Sequence, residues 1–174
     1  MASEGNMAQV NDDFEAAPIR CRARRVPPEW IDYNGHMNVA YYTLAFDNAV
    51  DEILDERLGV GVTFVREARM GPMALQTQIH YLDELVEGTE FACDFQLLDA
   101  DPKRIHFFAT MINLQTGRTA ATYESLTMNV DLEARRPAPY PQWAQERIER
   151  LRLLHAALPR PPQVGNPIGI RRKP

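Results

Sequence analysis

Residues 28–54 read PEWIDYNGHMNVAYYTLAFDNAVDEIL, a short polar knot followed by a periodic run. In the run, Tyr42, Ala45, Phe46, Ala49, Val50, Ile53, Leu54 and Leu58 recur at steps of three and four. Asp47, Asp51, Glu52, Asp55 and Glu56 take much of the other side. That spacing predicts one long amphipathic helix over 39–58. Asn38 suits its N-cap, because the side-chain oxygen can accept from an unpaired first-turn amide. Gly59 suits its end.

Outward from this helix the period changes. Upstream, PIRCRARRV (18–26) has the form of a strand closed by Pro27-Pro28. Downstream the pattern alternates by two: MALQTQIHYL (73–82), TEFACDFQLL (89–98), RIHFFATMINL (104–114) and TAATYESLTMNV (119–130). The first of these sets Met73, Leu75, Thr77, Ile79 and Tyr81 against Gln76, Gln78 and His80. Turn residues separate the strands: Glu87-Gly88, DADPK (99–103) and QTGR (115–118). Such short connections predict antiparallel neighbours, hence a four-strand meander. A second amphipathic helix is expected near 141–157, carrying Trp143, Ile148, Leu151 and Leu154.

A sheet needs its apolar face covered, and the long helix is the obvious cover. The expected fold is therefore α+β of the hotdog type. One long central helix is wrapped by a curled antiparallel sheet of five or six strands, with a C-terminal helix added. One helix covers a limited area, so a second copy is expected to complete the sheet, as a homodimer or a dimer of dimers. The expected divisions are a flexible lead-in at 1–17, the hotdog domain at 18–140, the C-terminal helix at 141–158 and a proline-rich basic tail at 159–174.

Composition sets the outer bounds. At 174 residues, with 45% hydrophobic and 25% charged, the chain fits one ordinary globular domain. A formal net charge of −5 argues against nucleic acid as a partner. Cys21 and Cys93 fit no metal or disulfide framework, which favours a reducing cytoplasm. No run is long and apolar enough for a membrane span, and the N-terminus lacks the basic and apolar regions of a signal peptide.

The polar knot, Asp32-Tyr33-Asn34-Gly35-His36-Met37-Asn38, sits at the entrance of the helix. A helix N-terminus presents unpaired N–H groups and partial positive charge, suited to a developing oxyanion. Gly35 leaves room for close approach to the backbone. Asn34, His36 and Asn38 can hold the turn by hydrogen bonds. A carboxylate at Asp32 beside such donors has the parts that acyl hydrolysis needs, as nucleophile or as general base. Each part also has a plain structural reading: Asp32 in an Asx-turn, His36 as a hydrogen-bonded loop residue, Tyr41, Tyr42 and Phe46 as core. No phosphate loop, HExxH or Ser-His-Asp signature supplies a rival site.

The stretch DYNGHMNVAYY (32–42) resembles the loop of hotdog acyl-CoA thioesterases of the 4-hydroxybenzoyl-CoA thioesterase type, with Asp32, Gly35, His36, Met37, Asn38 and Tyr41 matching in order and spacing. WIDYNGHMN, DPKRIHFF and RRPAPYP look most like the betainyl-CoA thioesterases of carnitine catabolism. Such enzymes often carry a second Asp two residues before the catalytic one; here that position is Trp30. The resemblance implies a thioester hydrolase in which Asp32 is catalytic, Val39 supplies the oxyanion N–H, and Gly35, His36 and Asn38 shape the loop. On that reading Asn34, Tyr41, Tyr42, Phe46 and Met73 are candidate substrate contacts, and Lys103 and Arg104, like Arg135 and Arg136, are candidates for the CoA phosphates that an acidic chain must meet with local positive charge. The resemblance implies no metal and no cofactor beyond the CoA of the substrate. Two alternatives stay open: a hotdog hydratase, whose Asp-x-Asn-Pro-x-His pattern the chain meets only in part, and an acyl-binding module without catalysis.

Overall fold

The structure is a computed structural model, and it describes residues 13–170. The expected lead-in at 1–17 and the end of the tail therefore lie largely outside the described residues. Two short strands, β1 (Ile19–Arg20) and β2 (Arg24–Arg25), replace the single strand expected at 18–26. The long helix α1 spans Val39–Glu56 and buries Tyr42, Ala45, Phe46, Ala49, Val50, Ile53 and Leu54, the stripe that the spacing marks out.

A helix that the periodicity did not announce follows, α2 (Val62–Ala68). It is capped from outside: the Asp55 carboxylate of α1 accepts from the Thr63 N–H at 2.8 Å and lies 3.4 Å from its hydroxyl. Then come β3 (Met70–Tyr81), β4 (Glu90–Ala100), β5 (Arg104–Asn113), β6 (Thr119–Asp131), β7 (Arg136–Pro137) and α3 (Gln142–His155).

The sheet is antiparallel and runs β1-β4-β5-β6-β3, with β2 also on β4 and β7 on β6. Strands β4, β5 and β6 form the expected meander. β3 does not join it beside β4, as the sequence suggested, but pairs with β6 at the far edge. The reason lies in the connection 82–89. It runs past the N-terminus of α1, where the buried Leu85 accepts from the Met37 N–H at 2.7 Å, instead of turning tightly into β4.

Directly opposed residues share a face, and this fixes the two sides of the sheet. Tyr123, stacked on Phe46 of α1 at 5.2 Å, marks the concave face. A bulge between Ala74 and Gln76 reverses the alternation of β3. Thr77, Ile79 and Tyr81 oppose Ser125, Tyr123 and Ala121 and so face α1. Met73 opposes Met128, which opposes Arg104, on the convex side. The expected single stripe from Met73 to Tyr81 is thus broken.

α3 closes the far end. Its buried His155 accepts from the Leu97 N–H through Nδ1 at 2.8 Å and donates from Nε2 to the Ala17 carbonyl at 3.0 Å. Leu97 borders a bulge in β4, where the ladder leaves that N–H without a strand partner.

Candidate active site

The polar knot folds as a miniature hairpin. Ile31 and Met37 form an isolated bridge, the Asp32 N–H donates to the His36 carbonyl at 3.0 Å, and the Gly35 N–H donates to the Asp32 carbonyl at 3.0 Å. Gly35 has φ +83° with open space around the position of a β-carbon. Its role here is conformational: it turns the chain through left-handed backbone that other residues resist. The hairpin is tied down at both ends. Met37 is buried, and the Asn38 N–H donates to the Trp30 carbonyl at 2.8 Å.

Within this frame Asp32 is half-buried, and its Oδ1 accepts from the Asn34 N–H at 2.8 Å. The bond fixes the plane of the carboxylate and leaves Oδ2 without a hydrogen-bond partner among the described residues. At the helix entrance, the Asn38 side chain accepts from the Ala40 N–H at 2.9 Å and its carbonyl accepts from the Tyr41 N–H at 3.0 Å. The Val39 N–H has no acceptor among the described residues, as a first helical position allows. An anchored carboxylate with one free oxygen therefore lies in the same short loop as a free helix-terminal donor. His36 sits half-buried with Nδ1 3.3 Å from the Met37 carbonyl, holding the backbone without reaching Asp32 through any described bond.

The other expected contact residues scatter. Tyr41 is half-buried and stacks on Trp30 at 5.2 Å, beside the loop. Tyr42 is core, and its hydroxyl accepts from the Leu85 N–H at 3.2 Å; burial raises the pKa of this phenol. Phe46 is fully buried. In this chain both pack in the core, Tyr42 against Leu85 and Phe46 against Tyr123. Met73 lies on the face of the sheet away from α1, because of the β3 bulge. Asn34 is exposed at the loop tip.

Lys103 immediately precedes β5 and Arg104 begins it, whereas the Asp32 loop packs near Phe91 and Leu85, at the other end of the sheet. The ten residues of β5 span the distance between these ends, roughly 30 Å of strand. Arg104 is also committed to Asp101, with Nε 2.7 Å from Oδ2. Within one chain the two residues and the Asp32 loop stand at opposite ends of the strand.

The sequence reading missed Leu85, whose backbone ties both Met37 and Tyr42, and the stacking role of Trp30. Leu85 stands in an acidic connection that carries no motif. Trp30 was visible only as a departure from the acidic residue often found there.

Among the described residues no cluster of His, Cys, Asp and Glu has the form of a metal ligand set, and no helix is long and apolar enough to cross a membrane. Cys21 and Cys93 are both buried, joined through the Cys21 N–H to the Cys93 carbonyl at 2.8 Å. Burial pushes the Cys21 thiol up to about 12 and the Cys93 thiol up as well.

Comparison with known proteins converges on one group. Residues 26–148 match the family described as the thioesterase-like superfamily. A Pseudomonas aeruginosa protein named betainyl-CoA thioesterase is 33% identical over 94% of this chain and 98% of its own. A Rhizobium meliloti protein named L-carnitine dehydrogenase/betainyl-CoA thioesterase is 32% identical over 90% of this chain but only 31% of its own. A solved Staphylococcus aureus structure, in complex with CoA, superposes with a TM-score of 0.83 at 25% identity, covering 91% of this chain and 99% of that one. Placed on the hotdog fold already described, these likenesses establish that the chain belongs to the thioesterase-like superfamily.

Proposed function

We propose that this chain hydrolyses an acyl-CoA thioester to a free acid and CoA, with Asp32 as the catalytic carboxylate and the Val39 N–H as the oxyanion donor. The observation that carries the reading is the Asp32 carboxylate, held through Oδ1 by Asn34 and free at Oδ2, in the loop that opens α1. As a general base, Oδ2 takes a proton from water while the water oxygen attacks the thioester carbonyl. As a nucleophile, Oδ2 attacks that carbon itself and water then cleaves the mixed anhydride. In either route the carbonyl oxygen gains negative charge, which a preorganised N–H and the helix terminus stabilise. The CoA sulfur leaves and is protonated. No cofactor enters.

The names of the relatives make betainyl-CoA the first ester to try. The working unit is proposed to be a dimer. β3 is a twelve-residue edge strand with one side unpaired, and Leu75, Tyr81 and Leu82 are exposed along or beside it. A long apolar edge of this kind invites another strand. Antiparallel pairing of two β3 edges sets the Met70 end of one copy beside the Tyr81 end of the other. It thereby carries Lys103 of the second copy toward the Asp32 end.

The test is thiol release from betainyl, short-chain, long-chain and aroyl esters of CoA, with wild type and Asp32→Asn side by side. Both native thiols are buried with raised pKa, so enzyme blanks should stay low. Release that falls at least 100-fold in the folded Asp32→Asn variant is expected. Release untouched by the substitution would move the chemistry elsewhere. A single turnover in 18O-labelled water then tests the anhydride route: label in Asp32 requires an anhydride cleaved by water at the Asp32 carbonyl, whereas label in the product acid alone fits the general base or cleavage at the acyl carbon.

A further inference from the structure

The segment after α3 does not hang free. It crosses the convex face of the sheet strand by strand. The Pro159 carbonyl accepts from Nε2 of Gln96 on β4 at 3.3 Å. The Gly165 N–H donates to Oε2 of Glu124 on β6 at 2.7 Å, and the other oxygen of that carboxylate lies 2.8 Å from Nε2 of His106 on β5. The Asn166 carbonyl accepts from Nε2 of Gln78 on β3 at 2.6 Å. The strap thus passes β4, β5, β6 and β3 in their order in the sheet, on the face where Phe108, opposed to Gln96 and Glu124, is buried.

At Asn166 the strap stands over the edge strand, and among the described residues no further strand lies beyond it. The next residues carry two large apolar side chains into solvent: Ile168 is 96% exposed and Ile170 is 89% exposed. An extended chain advances about 3.5 Å per residue, and neighbouring strands lie about 4.8 Å apart. Two residues past Asn166 therefore suffice to reach the position of a strand added to β3. On the convex side of β3, Met73 is left 46% exposed, and Leu75, displaced by the bulge, is 49% exposed.

We infer that Ile168–Ile170 is an exchanged arm, which crosses the β3 edge and covers the Met73–Leu75 patch on a second copy of this chain. The inference rests on the dimer proposed above and adds a contact outside the active site. In a two-fold dimer each arm covers the other copy. Four otherwise exposed apolar side chains per arm then leave water, from the isoleucines and from the patch. The strap fixes the arm in position beforehand, so little ordering cost remains on docking.

Two measurements test the arm. Sedimentation over a dilution series compares the full chain with an Ile168→Asp, Ile170→Asp double variant. Dimer dissociation is expected to rise tenfold or more, with thiol release per dimer unchanged at high protein concentration. In the second, a chain bearing Ile170→Cys is mixed with a differently tagged chain bearing Met73→Cys and oxidised with a diazene such as diamide. A disulfide joining the two tags is expected.

A full-length dimer that the double variant does not weaken, with no product between tags, would overturn the arm and leave the dimer standing. A full chain that sediments as a monomer at high concentration would overturn both. Carrying both cysteines on one chain and obtaining only an internal disulfide would place the arm on its own β3 and refute the exchange.

Discussion

Gly35 shows how one backbone angle can hold a reactive group. Its φ of +83° lets the chain return within four residues, so that Asn34 can donate to Asp32 and Asn38 can start the helix. Gly35→Ala should cost about 1 kcal/mol or somewhat more, since the strain is conformational and nothing crowds a β-carbon there. Gly35→Asn should cost less, because asparagine tolerates left-handed backbone. Urea midpoints of the three proteins check the order, and equal losses for both variants would show that the angle is not what matters. Phe46 tests the opposite kind of site. Stacked on Tyr123 with no exposed surface, it should lose about 3–5 kcal/mol of stability as Phe46→Ala. A well-folded variant with only a raised KM would return Phe46 to the acyl pocket. The sequence could name both residues but not separate their roles, because an aromatic at helical spacing looks the same in a core and in a pocket.

Among the elements, α1 was the most legible. Its buried stripe, its Asn38 cap and its end near Gly59 all follow from local chemistry. Asn38→Ala should destabilise by about 1 kcal/mol and also release the Ala40 N–H beside the Val39 donor, lowering kcat more than stability alone explains. Comparing kcat below the unfolding transition with the denaturation midpoint checks this. β3 was legible only as a strand, because its bulge depends on the partner strand rather than on its own alternation. α3 carries a pH dependence. His155 is buried with Nδ1 already accepting from Leu97, and burial lowers its pKa from the usual value near 6.5. A folded value below the unfolded one means that the unfolded chain binds more protons between the two. This contribution is full above about pH 6.5 and is lost as pH falls through the folded value. Wild type should therefore lose more stability from pH 7.5 to 5.5 than His155→Gln, by denaturant midpoint; equal losses would assign the dependence to other groups.

For the whole molecule, the open edge at β3 is the feature with most consequence. If the dimer completes the site, specific activity should fall on dilution below its dissociation constant and return on concentration. Constant specific activity into the monomer range would place the entire site within one chain. The sequence by itself determined the long helix, the strand-rich remainder, the loop from Asp32 to Asn38 and the family likeness that this loop carries. Those signals are local: periods of 3.6 and 2, a capping residue, a glycine turn and a short motif. Only the tertiary structure decided which strands are neighbours, which face Met73 takes, that Lys103 and Arg104 stand at the end of β5 away from the Asp32 loop, and that the proline-rich segment straps the sheet. Each of these depends on contacts between residues far apart in the chain, and no pattern within a single segment records them.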